Sequence, residues 1–221
     1  MFDCVLLMAG SGKRANLGYN KIKYSINNKA IYEYSLDLFL SLDEVNKVVL
    51  VVSKGEFDEF IKIENERVKV VVGGKERQDS VLCGLKECSE EVVLIHDAAR
   101  PNINKQEVLN VYEEAKKNNS SVLAVPCVNA IKEVDKGFVN KSLDRSLVWC
   151  MQTPQGANRK LLIEALEKID YLIYDDIQAL EIVFGIKAKI VNGRQENLKV
   201  TNQVDLKIME ILLGEQNETN V

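Results

Sequence analysis

The sequence alternates between short runs that are apolar at nearly every position and segments whose apolar residues recur with a helical period. A strand that is apolar throughout must be buried on both faces, which is typical of a parallel sheet covered by helices on both sides. The pattern therefore predicts an α/β fold with a doubly wound, mostly parallel sheet, in which ligands bind at the carboxyl ends of the strands. The predicted strands are residues 3–8, 47–52, 68–72, 92–95, 121–125 and 187–192, and the predicted helices are residues 28–41, 55–64, 78–88, 104–117, 158–168, 175–184 and 203–213.

One segment, residues 127–150, interrupts this alternation. Apolar and polar residues alternate on both sides of Lys136-Gly137, a dipeptide that favours a tight turn. We therefore expect a β-hairpin arm that projects from the main sheet. The rest of the chain carries no repeat and no linker, and 221 residues suit one domain, so residues 1–221 are predicted to form a single domain that contains the arm.

Composition excludes several classes of partner and site. The net charge of −4 does not favour nucleic acid or an anionic membrane, and no apolar run has the roughly 18 residues of a membrane span. Met1 leads directly into a strand, without the features of a signal peptide. The five cysteines are scattered and odd in number, which argues against a disulfide framework or a zinc site and favours a reducing cytoplasm.

The loop after the first strand reads Ala9-Gly10-Ser11-Gly12-Lys13-Arg14, and Lys21 follows seven residues later. Glycines let the backbone approach a ligand closely, and free N–H groups in such a turn bind anions. The loop is not a Walker motif, because Lys13 is followed by Arg14 rather than by Ser or Thr. It extends well past Gly12, which disfavours an NAD-dependent dehydrogenase. We predict a nucleoside triphosphate loop.

A second glycine loop, Gly73-Gly74, follows the third strand and opens a helix. Asp79 or Ser80 is the expected N-cap of that helix. A helix N-terminus with a free hydroxyl can also hold a base or a phosphate. This segment therefore predicts either a nucleotide contact or a plain capped helix.

The fourth strand ends in His96-Asp97-Ala98-Ala99-Arg100-Pro101. Asp97 is placed to hold Mg²⁺ against a triphosphate, since hard oxygen ligands suit that ion. Arg100 can take a phosphate through two hydrogen bonds. His96 is the only histidine of the chain, and we interpret it as a structural side chain.

Three further motifs complete the set: Leu143-Asp144-Arg145, Gln152-Thr153-Pro154-Gln155 and Glu196-Asn197-Leu198-Lys199-Val200-Thr201. Together with the loops above, and in the same order from Ala9 to Leu206, they resemble the 2-C-methyl-D-erythritol 4-phosphate cytidylyltransferases of the non-mevalonate isoprenoid pathway. The resemblance implies a Rossmann-like nucleotidyltransferase fold. It also implies CTP-dependent transfer of CMP to a polyol phosphate, with release of pyrophosphate.

The resemblance further implies a role for each matching residue. Catalysis falls to Arg14, Lys21, Arg145 and Lys199, nucleotide binding to Ala9, Gly10, Ser11, Gly12, Gly74, Ser80, Asp97 and Ala98, and acceptor binding to Arg100, Arg145, Thr153 and Lys199. Asp97 is the implied ligand of Mg²⁺ or another divalent cation. The arm is implied to form a homodimer and to lend Arg145 and Thr153 to the neighbouring subunit's site.

The sequence departs from the family pattern at three places. Asn20 replaces a proline before Lys21, which is expected to loosen that loop. Ala130 and Tyr174 each replace a threonine on the acceptor side. These two changes leave a ribitol 5-phosphate cytidylyltransferase open as an alternative. A nucleotide-binding regulatory subunit without activity is a third reading, against which the joint presence of Arg14, Lys21, Asp97 and Lys199 argues.

Overall fold

The structure, a computed structural model, describes residues 1–10 and 18–218. Its strands are β1 (Phe2–Leu7), β2 (Ser25–Ile26), β3 (Lys29–Ala30), β4 (Val45–Val52), β5 (Val68–Val72), β6 (Val92–Asp97), β7 (Ser120–Pro126), β8 (Lys132–Asp135), β9 (Phe138–Ser142), β10 (Trp149–Asn158) and β11 (Lys189–Asn192). Its helices are α1 (Ile31–Leu40), α2 (Phe57–Phe60), α3 (Arg77–Lys86), α4 (Lys105–Asn118), α5 (Arg159–Lys168), α6 (Ile177–Phe184) and α7 (Gln203–Glu218). Short 3₁₀ turns lie at Lys21–Lys23, Lys54–Glu56, Ile61–Ile63 and Arg145–Leu147.

Seven strands form one sheet in the order β11-β7-β10-β6-β1-β4-β5. The pairs β1–β4, β1–β6, β4–β5 and β7–β11 are parallel, and β10 runs antiparallel between β6 and β7. Apolar side chains pack on both faces: Leu6 and Val48 belong to one core cluster, whereas their neighbours Val5 and Val49 belong to the other. The doubly wound, mostly parallel sheet is therefore confirmed, because successive residues of a strand point to opposite faces.

The central strand β10 was not predicted from the sequence. It contains polar residues and Pro154, which donates no backbone hydrogen bond, and its pairing with β7 shifts register between Met151 and Gln155. The predicted helix 55–64 is also wrong in part, because the segment forms the short helix α2 between two 3₁₀ turns. Phe60 is the one residue of α2 that is buried, and Phe57 and Ile61 pack partly buried against the same core cluster.

The predicted arm is present as the hairpin β8–β9. Lys136 and Gly137 form its turn with φ angles of 46° and 85°, the positive values that a tight hairpin turn requires. All residues of both strands are exposed, including Val134, Phe138 and Val139. No helix within the described ranges combines the length and apolar character that crossing a bilayer requires.

A pair of glycine substitutions tests how tightly the helices pack on the sheet. A Cβ at Gly84 in α3 would lie 2.5 Å from Val5 Cγ1 and 2.9 Å from Val51 Cγ2, whereas one at Gly214 in α7 meets nothing within 4 Å. We expect Gly84→Ala to lower the free energy of unfolding by about 1–3 kcal/mol through overpacking. Gly214→Ala should raise it by up to about 1 kcal/mol, the ordinary gain of alanine in a helix. Urea denaturation measures both, and equal effects of the two substitutions would contradict the packing described here.

Candidate active site

A cavity of about 440 Å³ opens at the carboxyl ends of β1, β5 and β6. This edge is where doubly wound folds bind their ligands. The chain reaches it from five segments: the end of β1, the 3₁₀ turn around Lys21, the start of α3, the end of β6, and the loop between β11 and α7. The lining residues are Leu7, Met8, Ala9, Gly10, Asn20, Lys21, Ile22, Gly74, Lys75, Glu76, Arg77, Ser80, Asp97, Ala99 and Lys199.

The predicted site residues divide into three groups. Those that line the cavity are Ala9, Gly10, Lys21, Gly74, Ser80, Asp97 and Lys199. Three others, Ser11, Gly12 and Arg14, lie outside the described residues. The described residues that do not line it are Ala98, Arg100, Arg145 and Thr153. Three loops that are far apart in sequence thus converge as expected from the strand ends.

The Gly73-Gly74 loop closes against the first turn of α3. Gly74 N donates to Ser80 Oγ at 3.1 Å, and the same hydroxyl donates to Glu76 O at 3.1 Å. A Cβ at Gly73 would lie 2.7 Å from Ser80 Oγ, so the loop requires glycine there. The predicted N-cap was wrong: the helix begins three residues before Ser80, with Glu76 as its N-cap and Asp79 Oδ2 accepting from Glu76 N at 3.0 Å.

Asp97, at the end of β6, is a buried carboxylate surrounded by cations. Its Oδ2 lies 2.7 Å from Lys199 Nζ and 3.9 Å from Arg100 Nε, and its Oδ1 lies 3.2 Å from Arg77 Nη2. Burial alone would raise the pKa of Asp97, but the charges of Arg77, Lys199 and Arg100 outweigh it and hold that pKa well below its usual range. Asp97 therefore stays ionised and fixes three positive groups beside the cavity.

Arg77 is a residue of the site that the sequence interpretation missed. Its Nη1 donates to Asp176 Oδ1 at 2.7 Å, so the guanidinium bridges Asp176 and Asp97. Burial raises the pKa of Asp176, against the opposing effect of the Arg77 charge. No functional role was predicted for Asp176, because its partner lies 99 residues away in the sequence. The signal available was the position of Arg77 itself, three residues after Gly74 and directly before the predicted helix of residues 78–88.

Arg100 lies behind Asp97 and does not line the cavity. Its Nη1 donates to Asn197 O at 2.8 Å, and Val200 N donates to Ala99 O at 2.8 Å. Burial lowers the pKa of Arg100, and the charge of Asp97 partly opposes this. The arrangement ties the loop that carries Lys199 to the end of β6. It differs from the expectation that Arg100 reaches out to a substrate phosphate.

Ala98 differs from its expected placement in the same way. It is fully buried, and its amide donates to Leu7 O at 3.1 Å. The neighbouring residue Ala99 lines the cavity instead.

His96 and Thr153 form a buried chain of hydrogen bonds behind Asp97. His96 Nε2 lies 3.1 Å from Arg100 O, which can only accept, so this nitrogen carries the proton. Nδ1 then accepts from the Thr153 hydroxyl at 3.0 Å, and Thr153 Oγ1 accepts from Asp97 N at 3.1 Å. His96 thus has the structural role expected of it. The hydroxyl of Thr153 is engaged within its own subunit, which corrects the expectation that it serves a neighbour.

Three other residues complete the comparison with the sequence. Asn20 has a φ of −66°, the value that a proline would impose, and its side chain caps the 3₁₀ turn of Lys21. At this turn the Asn20 side chain thus supplies a restraint in place of the absent proline. Arg145 lies on the exposed arm with Nη1 donating to Val128 O at 3.0 Å, and Tyr174 is 97% exposed.

The donor set suits a metal ion that is shared with a ligand. No group of three or more potential ligand side chains occurs in the described ranges. Mg²⁺ is commonly held by one or two carboxylates together with the phosphates of a substrate. Asp97 offers one such carboxylate at the cavity, already opposite the cations that would meet a polyphosphate.

The mostly parallel sheet, with glycine loops and cations at its carboxyl edge, is an α/β nucleotidyltransferase fold. The model of the 2-C-methyl-D-erythritol 4-phosphate cytidylyltransferase family matches residues 3–215. The chain belongs to this family.

Individual relatives agree over nearly the full length. The chain is 34% identical to 2-C-methyl-D-erythritol 4-phosphate cytidylyltransferase of Clostridioides difficile, covering 100% of this chain and 97% of the relative. It is 35% identical to that of Halalkalibacterium halodurans, covering 97% and 98%. The solved structure of 4-diphosphocytidyl-2C-methyl-D-erythritol synthase from Anaerococcus prevotii superposes with a TM-score of 0.85 at 26% identity, covering 97% of this chain and 96% of that one.

The single histidine makes one electrostatic feature directly measurable. Burial lowers the pKa of His96 from 6.5 to about 4. In the unfolded chain His96 binds a proton with its ordinary pKa. Its contribution to the free energy of unfolding is therefore fully present above about pH 6.5 and is lost as the pH falls towards 4. In tag-free protein, the one imidazole Cε1–H NMR signal should not titrate until pH falls towards 4. A midpoint near 6.5 in folded protein would contradict the buried neutral imidazole.

Proposed function

We propose that this chain transfers CMP from CTP to 2-C-methyl-D-erythritol 4-phosphate and releases pyrophosphate, a step in the synthesis of isoprenoid precursors. The observation that carries the proposal is the family match over residues 3–215, which includes every segment that lines the cavity. The relatives reported above are named for the methylerythritol phosphate acceptor. The ribitol 5-phosphate alternative is therefore not favoured.

On this proposal the nucleotide lies across the carboxyl ends of β1, β5 and β6. Ala9 and Gly10 would contact the triphosphate, a role proposed also for Ser11 and Gly12, and Gly74 and Ser80 would contact the cytosine and ribose. The support is that Ala9, Gly10, Gly74 and Ser80 line one cavity, whose volume of about 440 Å³ is within the usual range of small-molecule sites. Arg14 would join this group from a segment outside the described residues.

The reaction needs positioned charge more than it needs a strong base. The acceptor phosphate oxygen is already anionic, so it can attack the α-phosphorus of CTP directly. The new bond is the P–O bond of the diphosphate product, and the bond to the pyrophosphate leaving group breaks. Two anionic phosphates repel each other, and fixed cations at Lys21 and Lys199 would offset this repulsion as charge develops.

Asp97 has two proposed tasks in this scheme. It holds Lys199 and Arg77 beside the cavity, as the distances of 2.7 and 3.2 Å support. It would also be the protein ligand of Mg²⁺ or another divalent cation that neutralises the triphosphate when bound. The neighbouring Arg100 and Thr153 then support the acceptor side indirectly, by fixing the Lys199 loop and the backbone of Asp97.

The acceptor side is proposed to be completed by a second subunit. Arg145 lies on the exposed arm, outside the cavity lining, so its action on substrate requires a neighbouring copy. The arm exposes Phe138 and Leu147, each 80% exposed, as apolar surface for such a homodimer. We also propose a cytoplasmic location, which the five free cysteines support.

The direct test of this function measures pyrophosphate release with CTP, Mg²⁺ and a panel of polyol phosphates. We expect turnover with 2-C-methyl-D-erythritol 4-phosphate well above that with ribitol 5-phosphate. CTP with Mg²⁺ should raise the melting temperature, and NAD should not. Preference for ribitol 5-phosphate, or no pyrophosphate with any acceptor, would contradict the proposal.

Complementation between two inactive variants tests the shared site. Lys199→Ala and Arg145→Ala should each abolish most activity. In a mixed dimer, one site combines the intact Lys199 of one subunit with the intact Arg145 of the other. Refolding the two variants together should therefore restore up to about one quarter of wild-type activity.

The matched controls for this experiment alter only exposed apolar residues. Phe138→Glu on the arm should weaken the dimer in sedimentation velocity, whereas Ile211→Glu on α7, at a residue 61% exposed, should not. A mixture of the two alanine variants that stays inactive although mixed dimers form would show that Arg145 does not act in the neighbouring site.

A further inference from the structure

The turn that carries Lys21 is fastened to the sheet by side chains that the family resemblance did not assign. Asn20 precedes Lys21 and is only 8% exposed, and Glu56 lies at the end of another 3₁₀ turn, after β4. We propose that Asn20 and Glu56 are positioning residues, which hold Lys21 in the place that the phosphoryl transfer requires. This inference rests on the proposed function and deepens it.

The side-chain amide of Asn20 both donates and accepts hydrogen bonds. Nδ2 donates to Met8 O at 3.0 Å and to Glu56 Oε2 at 3.1 Å, and Oδ1 accepts from Ile22 N at 3.4 Å. Met8 immediately follows β1 and leads into Ala9 and Gly10, which line the cavity. One side chain therefore links the backbone of the glycine loop to the backbone of the lysine turn.

Glu56 fixes the same turn from its other end. Its Oε1 lies 3.2 Å from Lys23 Nζ, and its Oε2 accepts from Ser53 Oγ at 2.8 Å as well as from Asn20. Ser53 directly follows β4, so the carboxylate is itself held at a strand end. Both ends of the three-residue turn are thus fixed to residues at the carboxyl ends of β1 and β4.

We call the contacts of Asn20 and Glu56 with Met8, Ser53, Ile22 and Lys23 the clamp. The clamp controls the placement of the turn more than the folding of the chain. Ile22, the middle residue of the turn, is 3% exposed and belongs to a core cluster. It anchors the turn by hydrophobic burial even when the clamp is cut. Loss of the clamp would leave the turn attached but free to shift, and a misplacement of about 1 Å in a catalytic group can cost about 10²-fold in rate.

Single-turnover kinetics of Asn20→Ala test the proposal. We expect the chemical step to slow by about 10- to 100-fold, with the Kd for CTP changed by less than about threefold. Lys21→Ala alone should slow the same step by about 10²–10³-fold. If Asn20 acts through Lys21, the double variant Asn20→Ala/Lys21→Ala should be no slower than Lys21→Ala. Multiplication of the two rate losses would overturn the proposal.

The matched control is Asn158→Ala. Asn158 also caps a helical turn, with Oδ1 accepting from Leu161 N at 3.3 Å and Nδ2 donating to Glu91 Oε1 at 3.4 Å. It lies beside Val92 at the amino end of β6, away from the cavity. Asn158→Ala therefore removes a comparable cap, and we expect it to leave the rate unchanged.

A second variant keeps the test independent of how Asn20→Ala folds. Glu56→Ala removes the other half of the clamp and should slow the chemical step without weakening CTP binding. A wild-type rate in Glu56→Ala and in Asn20→Ala would overturn the inference. Wild-type protein that releases no pyrophosphate from CTP with 2-C-methyl-D-erythritol 4-phosphate would instead count against the proposed function itself.

Discussion

The ionised carboxylate of Asp97, buried beside three cations, is the interaction on which the rest of the site depends. A buried charge is tolerated only when it is paired, and removing one partner leaves the others uncompensated. Arg77 comes from the start of α3, Lys199 from the loop before α7, and Arg100 from the loop that directly follows Asp97. This pairing requirement therefore brings two distant segments, the start of α3 and the loop before α7, to the end of β6.

These segments are held from behind by a second set of polar contacts. Glu107 of α4, itself buried, accepts from Arg194 Nε at 3.0 Å, and Gln152 Nε2 donates to Arg194 O at 2.8 Å. The loop that ends in Lys199 is thereby fixed to both α4 and β10. Together with the His96–Thr153 contact, this network gives the cations little freedom to move before a substrate arrives, which reduces the reorganisation needed during the reaction.

The sequence predicts the strands and helices of this molecule better than the polar contacts between them. The run of residues 92–95 is apolar at every position, which by itself indicates a buried strand, and the motifs that follow the strands indicated where the cavity lies. Strand β10 escaped prediction because its pairing, not its composition, makes it a strand. The pairing of Arg77 with Asp176 was not predicted, because an ion pair between residues 99 positions apart leaves no local pattern in the sequence. The contribution of Asn20 was not predicted from its replacement of a proline, because it depends on side-chain contacts with Met8 and Glu56.

Strand β10 has a consequence for how this enzyme can vary. It starts at Trp149, where the arm returns to the sheet, and four residues later it reaches Thr153 beside Asp97. The pairing of β10 with β7 already shifts register between Met151 and Gln155, so a residue gained or lost in this stretch would displace Thr153 from its contact with Asp97. The tip of the arm, in contrast, does not pair with the main sheet, so its length does not affect the register of the core strands. The length and side chains of the tip can therefore vary between relatives, whereas the number of residues from Trp149 to Thr153 must stay the same.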